Sequence, residues 1–362
     1  MFRNFKISTI CIFISILLFL QIITSCNKLM NEANSRFPLA ESSGIDPIAL
    51  LEAYNKADDL PNLLSLLVSK DNAIIAEEYY NGHGPDDLHE IKSVTKSFIS
   101  ALVGIAIDGG YISSVNQTIG ELLINTEPDL SGPVTEVTLN QLLTMTTGQE
   151  WSEIPGPSEF SAFVNSPDQL IYALSKPFVA TPGTLFNYSD GAPHIVSAIL
   201  SEATGQSAFE FAGEQLLSKI GVEHYDYYID NRGISYGGIG LMVTSRNMVS
   251  FGNLYLDGGI FNGMQVIPGE WIADSFESHI TTNNIIPHGS NYGYYWWSGM
   301  EYGHQVYFAM GYGGQFIVLV PEYNLVVVAT NMTSNVSSPV NVEWVNTINL
   351  IFNRVLPAVD GF

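Results

Sequence analysis

Apolar residues fall along this chain in strand-like runs near both ends and at helical spacing between them. Leu63-Leu64-Ser65-Leu66-Leu67-Val68 and Ala73-Ile74-Ile75-Ala76-Glu77-Glu78-Tyr79-Tyr80 flank the turn residues Ser69-Lys70-Asp71-Asn72, which predicts a β-hairpin. Ahead of it, Ile48, Leu50, Leu51 and Tyr54 recur on a helical period behind Asp46-Pro47, a cap followed by proline at the first helical position. From Ser93 to about Tyr255 the pattern is helical, punctuated at Gly109-Gly110 and Pro182-Gly183. Strand-like runs return at 306–310, 316–320 and 325–330, the last two joined by Pro321-Glu322-Tyr323-Asn324. Val340, Val345, Ile348, Leu350, Ile351 and Val355 then predict a closing helix before Pro357. This order implies an α+β fold: an antiparallel sheet built from both chain ends and flanked by terminal helices, with a mostly helical domain inserted. The α/β part is expected over about 46–92 and 256–362, and the helical part over about 93–255.

The first residues follow another pattern. Arg3 and Lys6 precede an apolar stretch from Ile10 to Leu20, too short for a comfortable membrane span, and then Ile23-Thr24-Ser25-Cys26. A basic start followed by a short apolar run reads as a signal peptide over residues 1–25. The tetrad Ile23-Thr24-Ser25-Cys26 resembles a bacterial lipobox, which implies lipidation of Cys26 and an envelope protein anchored on the outer side of a membrane. Residues 26–45, polar and without period, are expected to be a tether. The only cysteines are Cys11 and Cys26, so the processed chain has no internal disulfide and must be stabilised by a large core. Over the full chain 13 basic residues face 36 acidic ones, a formal charge of −23 that excludes nucleic acid as a partner.

Chemistry enters at Ile91-Lys92-Ser93-Val94-Thr95-Lys96-Ser97-Phe98. The run Phe98, Ile99, Ala101, Leu102, Val103, Ile105, Ala106, Ile107 predicts a helix buried on most sides, with Ser93 at its first turn. Side chains three apart on a helix face lie about 5–6 Å from each other, so the Lys96 amine reaches the Ser93 hydroxyl as a base reaches a nucleophile. Spacing alone is weak, because a chain of this composition holds about one serine-x-x-lysine by accident, and Ser25–Lys28 is another. Two further segments carry polar groups at the ends of elements. Tyr188 precedes a helix from Ala192 to Thr204, with Asp190 beside it. Ala309-Met310-Gly311-Tyr312-Gly313-Gly314-Gln315 puts small residues at a strand end, where a backbone N–H can approach a ligand. The seven histidines lack ligand spacing, and no metal or other cofactor is expected. His194, in the helix after Tyr188, reads as a packed histidine.

In order, these segments resemble the serine β-lactamase and penicillin-binding protein superfamily, in the branch of class C β-lactamases, carboxylesterases and nylon-oligomer (6-aminohexanoate-dimer) hydrolases. The resemblance rests on Ser93-x-x-Lys96, the run from Leu142 to Gly148, Phe186-Asn187-Tyr188-Ser189, Gly237-Gly238-Ile239-Gly240-Leu241, the aromatic run from Tyr292 to Trp297, and Gly311-Tyr312-Gly313-Gly314-Gln315. It implies Ser93 as nucleophile, Lys96 as its base and Tyr188 as the proton shuttle. It also implies an oxyanion hole made by the backbone N–H groups of Ser93 and of the residue after a K-T-G triplet. With the triplet at Ala309-Met310-Gly311 that residue is Tyr312; a register two residues later makes it Gly314. Trp151, Glu153, Asp190, Ala309, Gly311 and Gly313 fall where such a family binds substrate.

Two departures bear on substrate. Ala309 stands where the family has the K-T-G lysine, and Asp190 stands where Tyr-x-Asn has its asparagine, so one cation and one amide donor are missing. The expectation is a small neutral ester or amide cleaved through an acyl-enzyme. A D-alanyl-D-alanine carboxypeptidase or weak β-lactamase, and a non-catalytic cell-wall sensor of the same fold, are the competing readings.

Overall fold

The computed structural model describes residues 21, 23–153, 158–334, 336 and 338–362. The leader expected over 1–25 therefore lies, apart from residue 21 and residues 23–25, outside the described residues. The chain divides into two compact units, one comprising the N-terminal residues through Leu60 with Ile348–Phe362, the other Pro61–Thr347. In the first, α1 (Pro47–Ala57) begins as the sequence predicts: Asp46 accepts from Ile48 N at 2.8 Å and Ala49 N at 3.2 Å, with Pro47 at the first position. The expected tether is different. Residues 23–36 are helical, and Ala33, Phe37 and Ala40 are buried, Phe37 packing on Tyr54 with ring centroids 4.6 Å apart. Ala33 and Phe37 share one face at a spacing of four, enough apolar surface to order a segment that its Asn, Glu and Ser content makes look polar.

The second unit is built on an eight-stranded sheet. In chain order its strands are β1 (Leu63–Lys70), β2 (Ala73–Tyr79), β3 (Ile280–Thr281), β4 (Asn291–Tyr292), β5 (Trp297–Glu301), β6 (His304–Gly311), β7 (Gln315–Val320) and β8 (Leu325–Asn331). Their spatial order is β2-β1-β8-β7-β6-β5-β4-β3, with every pairing antiparallel. The first hairpin turns on Asp71 and Asn72, both with positive φ, which suits these residues and the twist of a two-residue loop. Central strands β7 and β8 are buried at every position, which is why they read as unbroken apolar runs. One face is covered by the helix Ser245–Leu256, where Ser65 Oγ bonds both Ser245 Oγ (2.6 Å) and Thr330 Oγ1 (2.7 Å).

Between β2 and β3 the described residues form helices joined by turns and loops, together with two pairs of two-residue strands. One of them, His89–Glu90 against Met242–Val243, ties the entry of this segment to its exit. Ile91 N donates to Leu241 O at 3.0 Å, and Leu241 N to Thr95 Oγ1 at 3.3 Å, so Gly237–Leu241 lies beside the predicted nucleophile. That nucleophile precedes α2 (Thr95–Asp108), buried from Thr95 to Ala106 as expected, with Phe98 stacked on Phe251 at 3.7 Å between centroids.

His89 is 4 % exposed, and its Nε2 has no hydrogen-bond partner among the described residues. Burial and the neighbouring His83 push its imidazole down to about 4, against the opposing pull of Asp87. The unfolded chain binds this proton near 6.5, so the stability from neutral His89 is present above 6.5 and is lost as pH falls towards 4. The loss expected is ~3 kcal/mol. Denaturant unfolding between pH 7 and 4 checks it: His89→Gln should flatten the slope.

Candidate active site

Ser93 lies in a 3-10 turn, Lys92–Val94, that leads directly into α2. The turn is entered through Lys92 at φ 51, a left-handed conformation that costs a non-glycine residue of order 1–3 kcal/mol and is held by its surroundings. Part of that hold is the end of β6. A Cβ on Gly311 would come within 2.6 Å of Ile91 O and 2.9 Å of Lys92 Cβ, so only glycine lets the strand close onto this turn. Ser93 itself stays partly exposed.

Lys96, 1 % exposed, follows one turn later. Its Nζ donates to Ser93 Oγ at 2.9 Å, to Gly238 O at 3.0 Å and to Asp190 Oδ1 in a buried ion pair. Three acceptors surround the amine, the number that three N–H bonds satisfy. Gly238 is required here because a Cβ would overlap Asp190 Oδ1. Asp190 sits at the N-cap of α3 (Gly191–Thr204) yet makes no capping bond; Ser189 Oγ accepts from Ala192 N instead, at 3.1 Å. Its carboxylate, expected at the substrate, is turned onto Lys96.

Tyr188 comes from a loop pinned to the Leu142–Gly148 segment by Gly183 N to Thr146 O (2.7 Å) and Asn187 N to Met145 O (2.8 Å). Lys96 Nζ stands 4.9 Å from its ring centroid, and the Ser93 side chain lies near enough to its hydroxyl to act on its titration. Burial of the hydroxyl and the Asp190 carboxylate, with a smaller push from Glu153, drive the phenol well above its ordinary value despite the downward pull of Ser93. Tyr188 is thus a neutral donor at physiological pH. The aromatic run from Tyr292 to Trp297 backs it, with Trp297 at 5.7 Å and Tyr292 at 6.5 Å between ring centroids.

Tyr312 is the first residue after β6, 55 % exposed in its side chain. The Gly314 N–H is spent on Gly311 O at 3.1 Å, closing the hairpin. Ala309 is buried and, two residues before Gly311 on one strand, shares the face that meets Ile91 and Lys92. Gly313 is directed elsewhere, since a Cβ there would meet Thr333 and Val340. Trp151 is buried and packs edge-on to Phe163 and Tyr172, its Nε1 donating to Glu153 Oε1 at 2.7 Å. His194 is a packed histidine, its Nε2 3.1 Å from Asp230 Oδ2. Cys26 is exposed within the helical residues 23–36 of the other unit. Asp190 as partner of Lys96, the Gly238 carbonyl, and Tyr292 with Trp297 behind Tyr188 were not assigned these roles from the sequence; the Gly237–Leu241 and Tyr292–Trp297 runs were its only signals for them.

The fold is that of a β-lactamase-like protein. The sequence profile of the family described as Beta-lactamase matches residues 49–343, and the chain belongs to that family. A 6-aminohexanoate-dimer hydrolase from Paenarthrobacter ureafaciens is 26% identical over 311 residues, 78% of each chain. Among solved structures, a putative 6-aminohexanoate-dimer hydrolase from Bacillus anthracis superposes with TM-score 0.68 at 23% identity, covering 84% of this chain and 82% of its own. A class C β-lactamase from Rhodobacter sphaeroides superposes with TM-score 0.62 at 18% identity, covering 85% and 99%. At these identities the two structures establish the fold.

Proposed function

We propose that this chain is a serine hydrolase that cleaves small neutral esters or amides through an acyl-enzyme on Ser93. The observation that carries the reading is Lys96 Nζ within 2.9 Å of Ser93 Oγ, with the same amine 4.9 Å from the Tyr188 ring centroid. Ser93 Oγ attacks the substrate carbonyl carbon, and its proton passes to Lys96 as Lys96 yields one of its own to Asp190. The oxyanion is held by the N–H groups of Ser93 and Tyr312, the latter because Gly314 is committed to the turn. Tyr188 gives its proton to the departing oxygen or nitrogen as the carbonyl carbon releases it, and regains one from Lys96. Water then adds to the acyl carbon, Ser93 leaves with a proton, and the site returns to its first state.

The neutral substrate class rests on position 309. Ala309 offers no cation on the face that meets the Ser93 turn, and Lys92 Nζ is already paired with Glu90. A charge-assisted hydrogen bond contributes about 1.5–3 kcal/mol, so its absence disfavours anionic substrates by roughly ten- to a hundredfold. Short-chain p-nitrophenyl esters should therefore turn over readily and nitrocefin weakly or not at all, with Ala309→Lys improving KM for anionic substrates. Faster turnover of nitrocefin or D-alanyl-D-alanine peptides than of esters by the native chain would contradict the assignment.

We also propose lipidation at Cys26 and an envelope location, supported by the lipobox-like tetrad and the exposure of that thiol. Multiple acyl chains anchor far more firmly than one. Cys26→Ser should move the protein from the membrane to the soluble fraction with catalysis on soluble esters retained, and native protein found soluble after fractionation would refute the anchor.

A further inference from the structure

Glu153 is a carboxyl group beside the site that the chemistry above does not use. Its Oε1 accepts two hydrogen bonds, from Trp151 Nε1 at 2.7 Å and from the backbone N–H of Asp190 at 3.1 Å. The second donor belongs to the residue whose side chain pairs with Lys96. Trp151 cannot drift, because it lies against Gly191, where a Cβ would come within 2.6 Å of its ring, and edge-on to Phe163 and Tyr172. The two loops are tied again by Asn187 Nδ2 donating to Gln149 O at 2.9 Å. Asp190 is thus gripped through its backbone by Glu153 and through its side chain by Lys96. Resting on the reading of Ser93 as nucleophile, we infer that Glu153 is a positioning residue, which fixes Asp190 against Lys96 through this shared acceptor and does so as a neutral acid.

Charge makes the neutral form necessary. Two carboxylates against one ammonium would leave a net negative charge in a poorly solvated site, whereas a proton on Glu153 leaves a single balanced pair. Burial and the Asp190 carboxylate hold the Glu153 carboxyl well above the usual range, against the pull of Lys96 and of its two donors. The other titratable groups nearby are Tyr188, a neutral phenol, and Lys176, which is paired with Glu159 beside Trp151. As pH rises Glu153 ionises, a second negative charge faces Lys96, and the relay from Ser93 through Lys96 to Asp190 is disturbed.

The test compares native protein, E153Q and E153A by ester turnover and by the rate of fluorophosphonate labelling of Ser93 across pH. E153A, lacking the acceptor, should lose about ten- to a hundredfold in kcat with KM little changed. E153Q keeps the acceptor and the fold, should recover most of that loss, and should move the alkaline midpoint upward, which a purely structural side chain would not do. Infrared difference spectra of the native protein at neutral pH should show a protonated-carboxyl band that E153Q lacks. Native kcat in E153A, a native alkaline midpoint in E153Q, or no such band would overturn the inference. If the native protein neither labels nor turns over, the nucleophile assignment fails, and the infrared band alone then decides whether Glu153 holds its proton beside Asp190.

Discussion

Ser93→Ala should abolish ester turnover and fluorophosphonate labelling, lowering kcat by about 10⁴-fold or more, because Ser93 Oγ is the hydroxyl to which Lys96 Nζ is hydrogen-bonded. The fold should survive. Ser93 makes no helix-capping bond, and the change removes one acceptor from Lys96, whose remaining partners Gly238 O and Asp190 persist. A loss of about 1 kcal/mol in denaturant unfolding is expected, typical of one hydrogen bond. Turnover within tenfold of native in a folded Ser93→Ala protein would remove the acyl-enzyme.

Lys96→Met is expected to damage stability as well as catalysis. It fills nearly the same volume, so packing is kept, but it leaves the Asp190 carboxylate, 5 % exposed, without its ammonium. Breaking a buried pair from one side costs about 3–5 kcal/mol, whereas replacing both partners is often close to neutral. Lys96→Met combined with Asp190→Asn should therefore recover most of the stability and none of the activity, with kcat still down by about 10³-fold or more. Recovered activity in the double variant would mean that Lys96 serves only to balance Asp190. Equal instability of the single and double variants would mean that the pair carries no burial penalty.

Local sequence brought Ser93 and Lys96 together because the two lie three positions apart, where one helical turn sets their distance. It could not carry the partner of Lys96. Asp190 is 94 positions from Lys96, and alone it reads as a helix cap, which is the one thing its side chain does not do. Glu153 was likewise visible only as a loop residue after Gly148, since its effect depends on a backbone N–H contributed 37 positions later. The sheet was legible where strands are long and apolar, as in β1, β2, β7 and β8. Strands β3 and β4 hold two residues each, too few to display a period, and they are recognisable only by pairing with β4 and β5 respectively. Helical residues 23–36 escaped notice for another reason: their buried face is carried by few residues among many polar ones.

Two residues after Tyr188, where the family has asparagine, Asp190 pairs its carboxylate with Lys96, which bears on the proposed mechanism as well as on the proposed substrate class. An amide at this position could donate to a substrate carbonyl, whereas the carboxylate accepts from Lys96 and offers a place for the proton leaving Ser93. With Tyr188 held as a phenol by burial and by that same charge, donor and acceptor roles are divided between two residues.

The most direct measurement is to treat the purified full chain with a fluorophosphonate, digest it, and locate the adduct by mass spectrometry. The account expects a single stoichiometric adduct on the peptide bearing Ser93, formed only while the protein is folded. An unmodified Ser93 peptide, or an adduct on a different serine, would contradict it.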